Sequence, residues 1–152
     1  MSEHDLWWLA GLIDGEGTVT VRRSKQAVPE PYLSIEMTHE PTIQRAAALI
    51  REVGCHAYTY GYRARSPRFA DSYHLRVGRT ADLMLLAQVL GPRSTTKREQ
   101  WTLLGQFCLA RMERSGALAG RAMPRRMHAV PPSQLELDIA AQMRELNRKG
   151  PR

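Results

Sequence analysis

The sequence is poor in cysteine, lysine and long apolar runs, and each shortage excludes a class of protein. Its two cysteines, Cys55 and Cys108, are too few for a disulfide framework or a four-cysteine zinc site. No apolar run approaches the ~18 residues of a membrane-spanning helix. The acidic start, Met1 to Asp5, lacks the basic region of a signal peptide. We therefore expect an intracellular protein in a reducing compartment, the bacterial cytoplasm or an organelle, without membrane contact.

The charge of the chain is strongly one-sided. Its 152 residues, enough for one domain, carry 22 Lys and Arg against 15 Asp and Glu, for a net charge of +7. Only Lys25, Lys97 and Lys149 are lysines. Arginine is the better ligand for phosphates and guanine edges because its guanidinium is a planar fork of donors. The composition therefore favours a polyanionic partner.

Hydrophobic periodicity predicts an α+β fold in the order helix, hairpin, helix, hairpin, helix, helix, linker and helix. Ser2 and Asp5 form a capping box before the first helix, which we expect to end near Asp14 and Gly15. The predicted strands are 18–22, 32–37, 58–65 and 72–77, and the later predicted helices are 41–53, 81–90, 96–111 and 133–148.

The composition divides the chain into three parts. Residues 1–111 form the predicted core, 112–132 a basic linker rich in Gly and Pro, and 133–152 a C-terminal amphipathic helix packed on the core. Ser133 and Glu136 form a second capping box. The predicted apolar stripe of this last helix is Leu135, Ile139, Met143 and Leu146.

Both hairpins alternate between apolar and polar residues, which predicts one face packed on helices and one polar, partly basic face. Such a ribbon fits the major groove of DNA. The orientation of 58–65 stays open, because its tyrosines alternate with the residues that we assign to the polar face. The predicted DNA-binding residues are Thr20, Arg22, Ser24, Gln26, Tyr32, Ser34, Glu36, Thr59, Arg63, Arg65, His74 and Arg76.

One motif carries chemistry: the run Leu9-Ala10-Gly11-Leu12-Ile13-Asp14-Gly15-Glu16-Gly17 ends a helix and leads into a strand. Small residues in it would let the backbone of a second helix approach closely. At the end of the helix, the carboxylate of Glu16 and the carbonyl of Gly15 are oxygen ligands of the kind that Mg²⁺ prefers.

The motif resembles the signature of the LAGLIDADG homing endonucleases, with seven of nine letters identical. The resemblance covers roughly residues 6–111. It implies an αββαββα core with a curved antiparallel DNA-binding sheet, extra C-terminal helices, and a metal-dependent DNA endonuclease of a mobile intron. The later run Leu118-Ala119-Gly120 continues into Arg121 and Pro124, so it is not a second copy.

The resemblance also assigns roles to individual residues. Glu16 would bind the catalytic Mg²⁺, which Ca²⁺ or Mn²⁺ could replace, with Gly15 as a further ligand. Lys97 would stabilise charge on the phosphate or polarise the attacking water, and His39 would hold water in the site. The helix that carries the motif would form the dimer interface through Trp7, Ala10, Gly11 and Asp14.

A single motif supplies one carboxylate, whereas cutting both strands of a duplex needs two sites. We therefore expect a homodimer that binds double-stranded DNA at a long, near-palindromic target. Two alternatives stay open at this point: an RNA-binding intron maturase with the same fold, and an inactive DNA-binding regulator.

Overall fold

The computed structural model describes residues 1–23, 28–66, 68–116 and 131–149. Within them, the order of elements is the predicted αββαββα core followed by further helices. The elements are α1 (Glu3–Glu16), β1 (Gly17–Arg23), β2 (Pro29–Met37), α2 (Glu40–Glu52), β3 (Tyr58–Tyr62), β4 (Ser72–Val77), α3 (Thr80–Leu90), a 3-10 turn (Gly91–Arg93), α4 (Arg98–Ser115) and α5 (Gln134–Lys149).

The strands form one antiparallel sheet in the order β1-β2-β4-β3, so β1 and β3 are its edges. Val19 lies opposite Leu33, and Ile35 lies opposite Leu75. All four side chains are buried against the helices, and the residues between them face the other way. The predicted inward face is therefore confirmed for the first hairpin and for β4.

The helices cover this inward face with a single apolar core. α1 contributes Leu9 and Ile13, and α4 contributes Trp101 and Phe107, all at most 1% exposed. Burying each such side chain stabilises the fold by about 1.5–3 kcal/mol. Because α1 is anchored through this core, the end of the motif has a fixed position beside the start of β1.

Several boundaries differ from the predicted ones. α1 continues through Gly15 to Glu16 and ends at Gly17, where a Cβ would lie 2.8 Å from the Ile13 side chain. The predicted end at Asp14 and Gly15 is therefore early. β2 begins at Pro29 instead of Tyr32, and this proline stretch is tolerated because only β1 pairs with it.

The predicted linker also begins too early. α4 runs to Ser115 and ends at Gly116 with φ +73°, a left-handed conformation that glycine adopts without strain. Residues 112–115 are therefore helical, and Arg111 is buried within the core of the molecule. The remaining linker residues 117–130, including Arg121, Arg125 and Arg126, lie outside the described residues.

The last helix packs on the core, and its capping box is confirmed: Glu136 accepts from the Ser133 N–H at 2.8 Å. The predicted apolar stripe is wrong at Leu135, which is 57% exposed. Glu136 takes the buried position, because Arg111 and Arg114 of α4 donate to its carboxylate at 2.9 and 2.6 Å. These bonds make a buried carboxylate tolerable and fix α5 to α4.

No helix within the described ranges is long and apolar enough to cross a membrane.

Candidate functional site

The carboxylate of Glu16 stands at the end of the motif helix. α1 starts at a complete Ser2–Asp5 capping box and ends at Glu16, whose side chain is exposed. In the part of the chain that the structure describes, no cluster of three or more His, Cys, Asp or Glu residues could hold a metal ion. One protomer therefore offers Glu16 as a single carboxylate with the backbone carbonyl of Gly15 beside it.

One stripe of α1 is left uncovered by the protomer. Trp7 is 54% exposed, and a Cβ added at Gly11 or Gly15 would have no heavy atom within 4 Å. We call the stripe formed by Trp7, Gly11 and Gly15 the exposed α1 face. The assignment of Ala10 to the dimer interface is wrong, because its side chain is fully buried in the core.

Asp14 also faces into its own protomer and not towards a second chain. Its carboxylate accepts hydrogen bonds from the Ser94 hydroxyl at 2.5 Å, from the Thr95 N–H at 2.6 Å and hydroxyl at 2.9 Å, and from the Thr96 N–H at 3.2 Å. Partial burial alone would raise the pKa of Asp14, but these hydrogen bonds outweigh it and lower the pKa below its ordinary value. Asp14 thus ties the end of α1 to the loop before α4, which corrects its assignment to the interface.

Lys97 is the residue just before α4, which begins at Arg98 and not at the predicted residue 96, and its side chain caps the end of α1. The Nζ of Lys97 donates to the carbonyl oxygens of Ile13, at 2.9 Å, and Asp14. Burial lowers the pKa of Lys97, while the negative charges of Asp14 and Glu16 oppose this shift. A cation is favourable here because the carbonyl end of a helix is its negative pole.

His39 lies at the end of β2, immediately before α2. Its Nδ1 is hydrogen-bonded to the Thr42 hydroxyl at 2.8 Å, within the same turn, and the residue is exposed. Its catalytic role stays a prediction.

The polar face of the sheet is more aromatic than predicted. Tyr60 lies opposite His74, and Tyr58 lies opposite Arg76, whereas Thr59 lies opposite the buried Leu75. Thr59 therefore points towards the helices, and its assignment to DNA binding is wrong. We call the other side the outward sheet face; it carries Thr18, Thr20, Arg22, Glu30, Tyr32, Ser34, Glu36, Tyr58, Tyr60, Tyr62, Ser72, His74 and Arg76.

Arginines and tyrosines alternate across this face in a stack that spans all four strands. The Arg22 guanidinium lies 4.0 Å from the centre of the Tyr32 ring. Arg76 lies 5.8 Å from the same ring and 4.6 Å from the ring of Tyr60. Such cation–π contacts orient the guanidinium planes before any ligand arrives.

The imidazole ring of His74 packs against Tyr60 and so supports this stack. It is only 9% exposed, its ring is parallel to that of Tyr60 at 4.8 Å, and it contacts Ser72 at 3.1 Å. Its Nδ1 lies 3.6 Å from the Glu36 carboxylate. His74 therefore positions Tyr60, and its predicted contact with DNA stays a prediction.

The remaining predicted DNA-binding residues have different outcomes. Ser24 and Gln26 lie outside the described residues. Arg63 and Arg65 follow β3 in an exposed loop, outside the strand to which they were assigned. Thr20 is on the outward sheet face and accepts a hydrogen bond from the Asn147 amide of α5 at 2.9 Å.

That contact brings the last helix beside the outward sheet face, which periodicity alone could not predict. A groove of about 100 Å³ separates α5 from β1, and its polar lining consists of Arg22, Arg23 and Arg144. The tyrosines of β3 were also missed as surface residues. The sequence does contain a signal for them: tyrosine at every second position places Tyr58, Tyr60 and Tyr62 on the same side of the strand.

Residues 3–91 match the family model described as the LAGLIDADG-like domain. This is more than half of the chain, so the protein belongs to the LAGLIDADG family. Its length and its one motif are those of the single-motif type. No curated protein matches the chain.

Solved structures agree with this assignment at the level of the fold. An archaeal intron-encoded homing endonuclease, I-Vdi141I, complexed with DNA, superposes with a TM-score of 0.63 at 13% identity, covering 94% of this chain and 84% of that one. I-CvuI in complex with the I-CreI target in the presence of Mg gives 0.56 at 16%, covering 97% of both chains. The LAGLIDADG meganuclease I-AabMI, bound to uncleaved DNA, gives 0.54 at 14%, covering 74% of this chain and 38% of that one.

Proposed function

We propose that this protein is a homing endonuclease that makes a metal-dependent double-strand break in a near-palindromic DNA target as a homodimer, and that it belongs to a mobile intron. The observation that carries the proposal is the position of Glu16. Its exposed carboxylate stands at the end of α1, next to the exposed α1 face. The DNA-bound state of I-Vdi141I and I-CvuI supports DNA as the substrate.

The exposed α1 face supports the homodimer. Gly11 and Gly15 present backbone without side chains, so a second α1 could approach closely, and Trp7 would lose its exposed apolar surface there. A two-fold axis along this face would bring two copies of Glu16 together, one for each DNA strand. It also predicts a target whose half-sites are inverted repeats.

The donors at the end of α1 fit a divalent cation of the Mg²⁺ type. The Glu16 carboxylate and the Gly15 carbonyl are hard oxygen ligands, and the Glu16 side chain is exposed. The site is incomplete in one protomer, and Glu16 of the second copy would supply the missing charge. When bound, the cation would neutralise charge at the scissile phosphate. I-CvuI was solved with Mg and with Ca, which supports both ions here.

The residues of the chain itself would orient the reaction. Lys97 holds the last carbonyls of α1 and so fixes where Glu16 points. Its ammonium also places a positive charge beside the phosphate that the outward sheet face would bring to the site. His39 would hold water in the site.

A cleavage assay with the full-length chain tests the proposal. A plasmid library of intron-insertion junctions is incubated with the protein and Mg²⁺, and linear products are sequenced. We expect cleavage by the natural chain, none by Glu16→Gln, and binding by both in a gel-shift assay with Ca²⁺. Glu113→Gln, an exposed glutamate near the end of α4, is the matched control and should cleave normally.

The alternative outcomes are distinct. Cleavage by Glu16→Gln at the natural rate would remove Glu16 from the metal site. Binding to the junctions without any cleavage would indicate a DNA-binding regulator. Binding to the folded intron RNA, and not to the duplex, would indicate a maturase.

A further inference from the structure

The outward sheet face holds two guanidiniums that share one aromatic ring. Arg22 of β1 and Arg76 of β4 approach Tyr32 of β2 from two sides, at 4.0 and 5.8 Å from its ring centre. Arg76 also lies over Tyr60, whose ring is in turn fixed by the parallel ring of His74. The two arginines are therefore held by neighbouring side chains.

The surroundings of these arginines suit base edges better than phosphates. Glu30 lies 3.6 Å from Arg22, and Glu36 stands on the same face beside His74. Carboxylates repel a phosphate backbone, but they tolerate a base edge and can accept from the amino group of cytosine. A preorganised guanidinium matches the O6 and N7 acceptors of guanine with two parallel hydrogen bonds.

The shared ring also limits the spacing of the two bases. The guanidinium carbons can be no farther apart than the sum of their distances to the Tyr32 ring centre, 9.8 Å. Successive base pairs are about 3.4 Å apart along the helix axis. Each contacted base atom lies a further ~4 Å from its guanidinium carbon. The two contacts therefore lie within about five base pairs of each other.

We infer that Arg22 and Arg76 determine specificity by reading two guanines no more than about five base pairs apart in each half-site. This rests on the proposed DNA-binding function and names what the target must contain. Tyr32 couples the two contacts because both guanidiniums lie against it, whereas Tyr60 serves Arg76 alone.

Selection of bound duplexes from a random library, with the full-length chain and Ca²⁺, tests this inference without requiring cleavage. We expect an enriched inverted repeat with the guanine pair in each half. Arg76→Gln should lose the preference at one guanine and Arg22→Gln at the other, each by roughly 5- to 150-fold in relative affinity. Arg79→Gln removes an exposed charge at the start of α3, among the helices, and is the matched control.

Variants of the supporting rings separate base reading from folding. Tyr60→Leu should reduce discrimination at the Arg76 guanine only, and Tyr32→Leu at both, while thermal melting curves verify that each variant folds. Equal loss of affinity for all sequences in the arginine variants would mean phosphate contacts and would overturn the inference, as would selected sites without the guanine pair. Failure to bind any duplex would overturn the proposed function as well.

Discussion

The ammonium nitrogen of Lys97 lies 2.9 Å from the carbonyl oxygen of Ile13, 84 residues earlier in the chain. The bond joins the start of α4 to the last turn of α1 and is one of two that this side chain donates to terminal carbonyls. The turn that Lys97 holds is the turn that ends in Glu16. Lys97 is therefore a positioning residue for the candidate metal ligand, in addition to any contact with the phosphate.

We expect Lys97→Met to lower the free energy of unfolding by about 2 kcal/mol, because two carbonyls lose hydrogen bonds from a charged group. The variant should also need more Mg²⁺ for half-maximal cleavage, since Glu16 is less well fixed. Urea unfolding and Mg²⁺ titrations measure the two effects. Arg98→Met is the control, because its side chain bonds only to Ser94 and Pro92 carbonyls. An unchanged Mg²⁺ dependence would contradict the positioning role.

The Glu136 carboxylate should govern the acid stability of the molecule. Burial alone would raise its pKa, but hydrogen bonds from Arg114, Ser133 and Arg111 lower it from 4.5 to about 2. Because the folded pKa is depressed, the stabilisation is fully present above pH 4.5 and is lost as the pH falls towards 2. The difference corresponds to about 3 kcal/mol.

Glu136→Gln should therefore unfold more easily at neutral pH, by about 3–5 kcal/mol, since Arg111 is left buried without a counter-charge. Its unfolding free energy should also change less between pH 4.5 and 2 than that of the natural chain. Denaturant titrations at neutral pH measure the first effect, and titrations between pH 4.5 and 2 measure the second. Asp138→Asn, an exposed carboxylate on the same helix, is the control. Equal acid slopes in the two variants would show that Glu136 does not carry the effect.

Gly11 should have opposite effects on the protomer and on the dimer. A Cβ has open space at this position, so Gly11→Ala should raise the unfolding free energy of the protomer by about 1 kcal/mol through helix propensity. Gly11→Leu should weaken dimerisation because two α1 backbones could no longer approach. Sedimentation equilibrium measures the second effect, with Ala48→Leu on the exposed side of α2 as the control. A Gly11→Leu chain that dimerises normally would exclude the exposed α1 face as the interface.

The hydroxyl of Tyr60 is buried and has no hydrogen-bond partner among the described residues. Burial raises its pKa, so the group stays neutral. Removing an unsatisfied polar atom relieves a desolvation cost, and we expect Tyr60→Phe to raise the unfolding free energy by about 1 kcal/mol. Thermal unfolding measures this, with the exposed Tyr58→Phe as a control that should change little. Destabilisation by Tyr60→Phe would mean that the hydroxyl has a partner.

Local patterns predicted most of the fold, because the spacing of apolar residues in each helix and strand indicates which of its faces is buried. Val19, Val21, Leu33 and Ile35 alternate strictly, and the capping boxes at Ser2 and Ser133 mark two helix starts. The direction of β3 could not be read in this way, because both of its alternating sets contain polar side chains. Only its pairing with β4, which places Tyr60 opposite His74, decides the question.

Residue type and spacing along the chain could indicate candidate site residues, whereas contacts with distant partners could not be predicted. Glu16 ends α1 and Lys97 precedes α4, and their catalytic roles stay predictions. Asp14 was assigned to the dimer interface, and the arginine partners of Glu136 were not predicted. Their partners, Ser94 and Arg111, lie 80 and 25 residues away, and helical periodicity contains no information on such pairs.

The course of α5 has a consequence for self-association. β1 is an edge of the sheet, and α5 runs beside it: the two face each other across the groove at Val21, and Asn147 donates to Thr20 on the outward side. The helix therefore lies beside the unpaired backbone N–H and C=O groups of β1. Without the helix, these groups could pair with a strand of another chain. A chain shortened before Ser133 would expose this edge, and we expect it to aggregate even where its sheet still binds DNA.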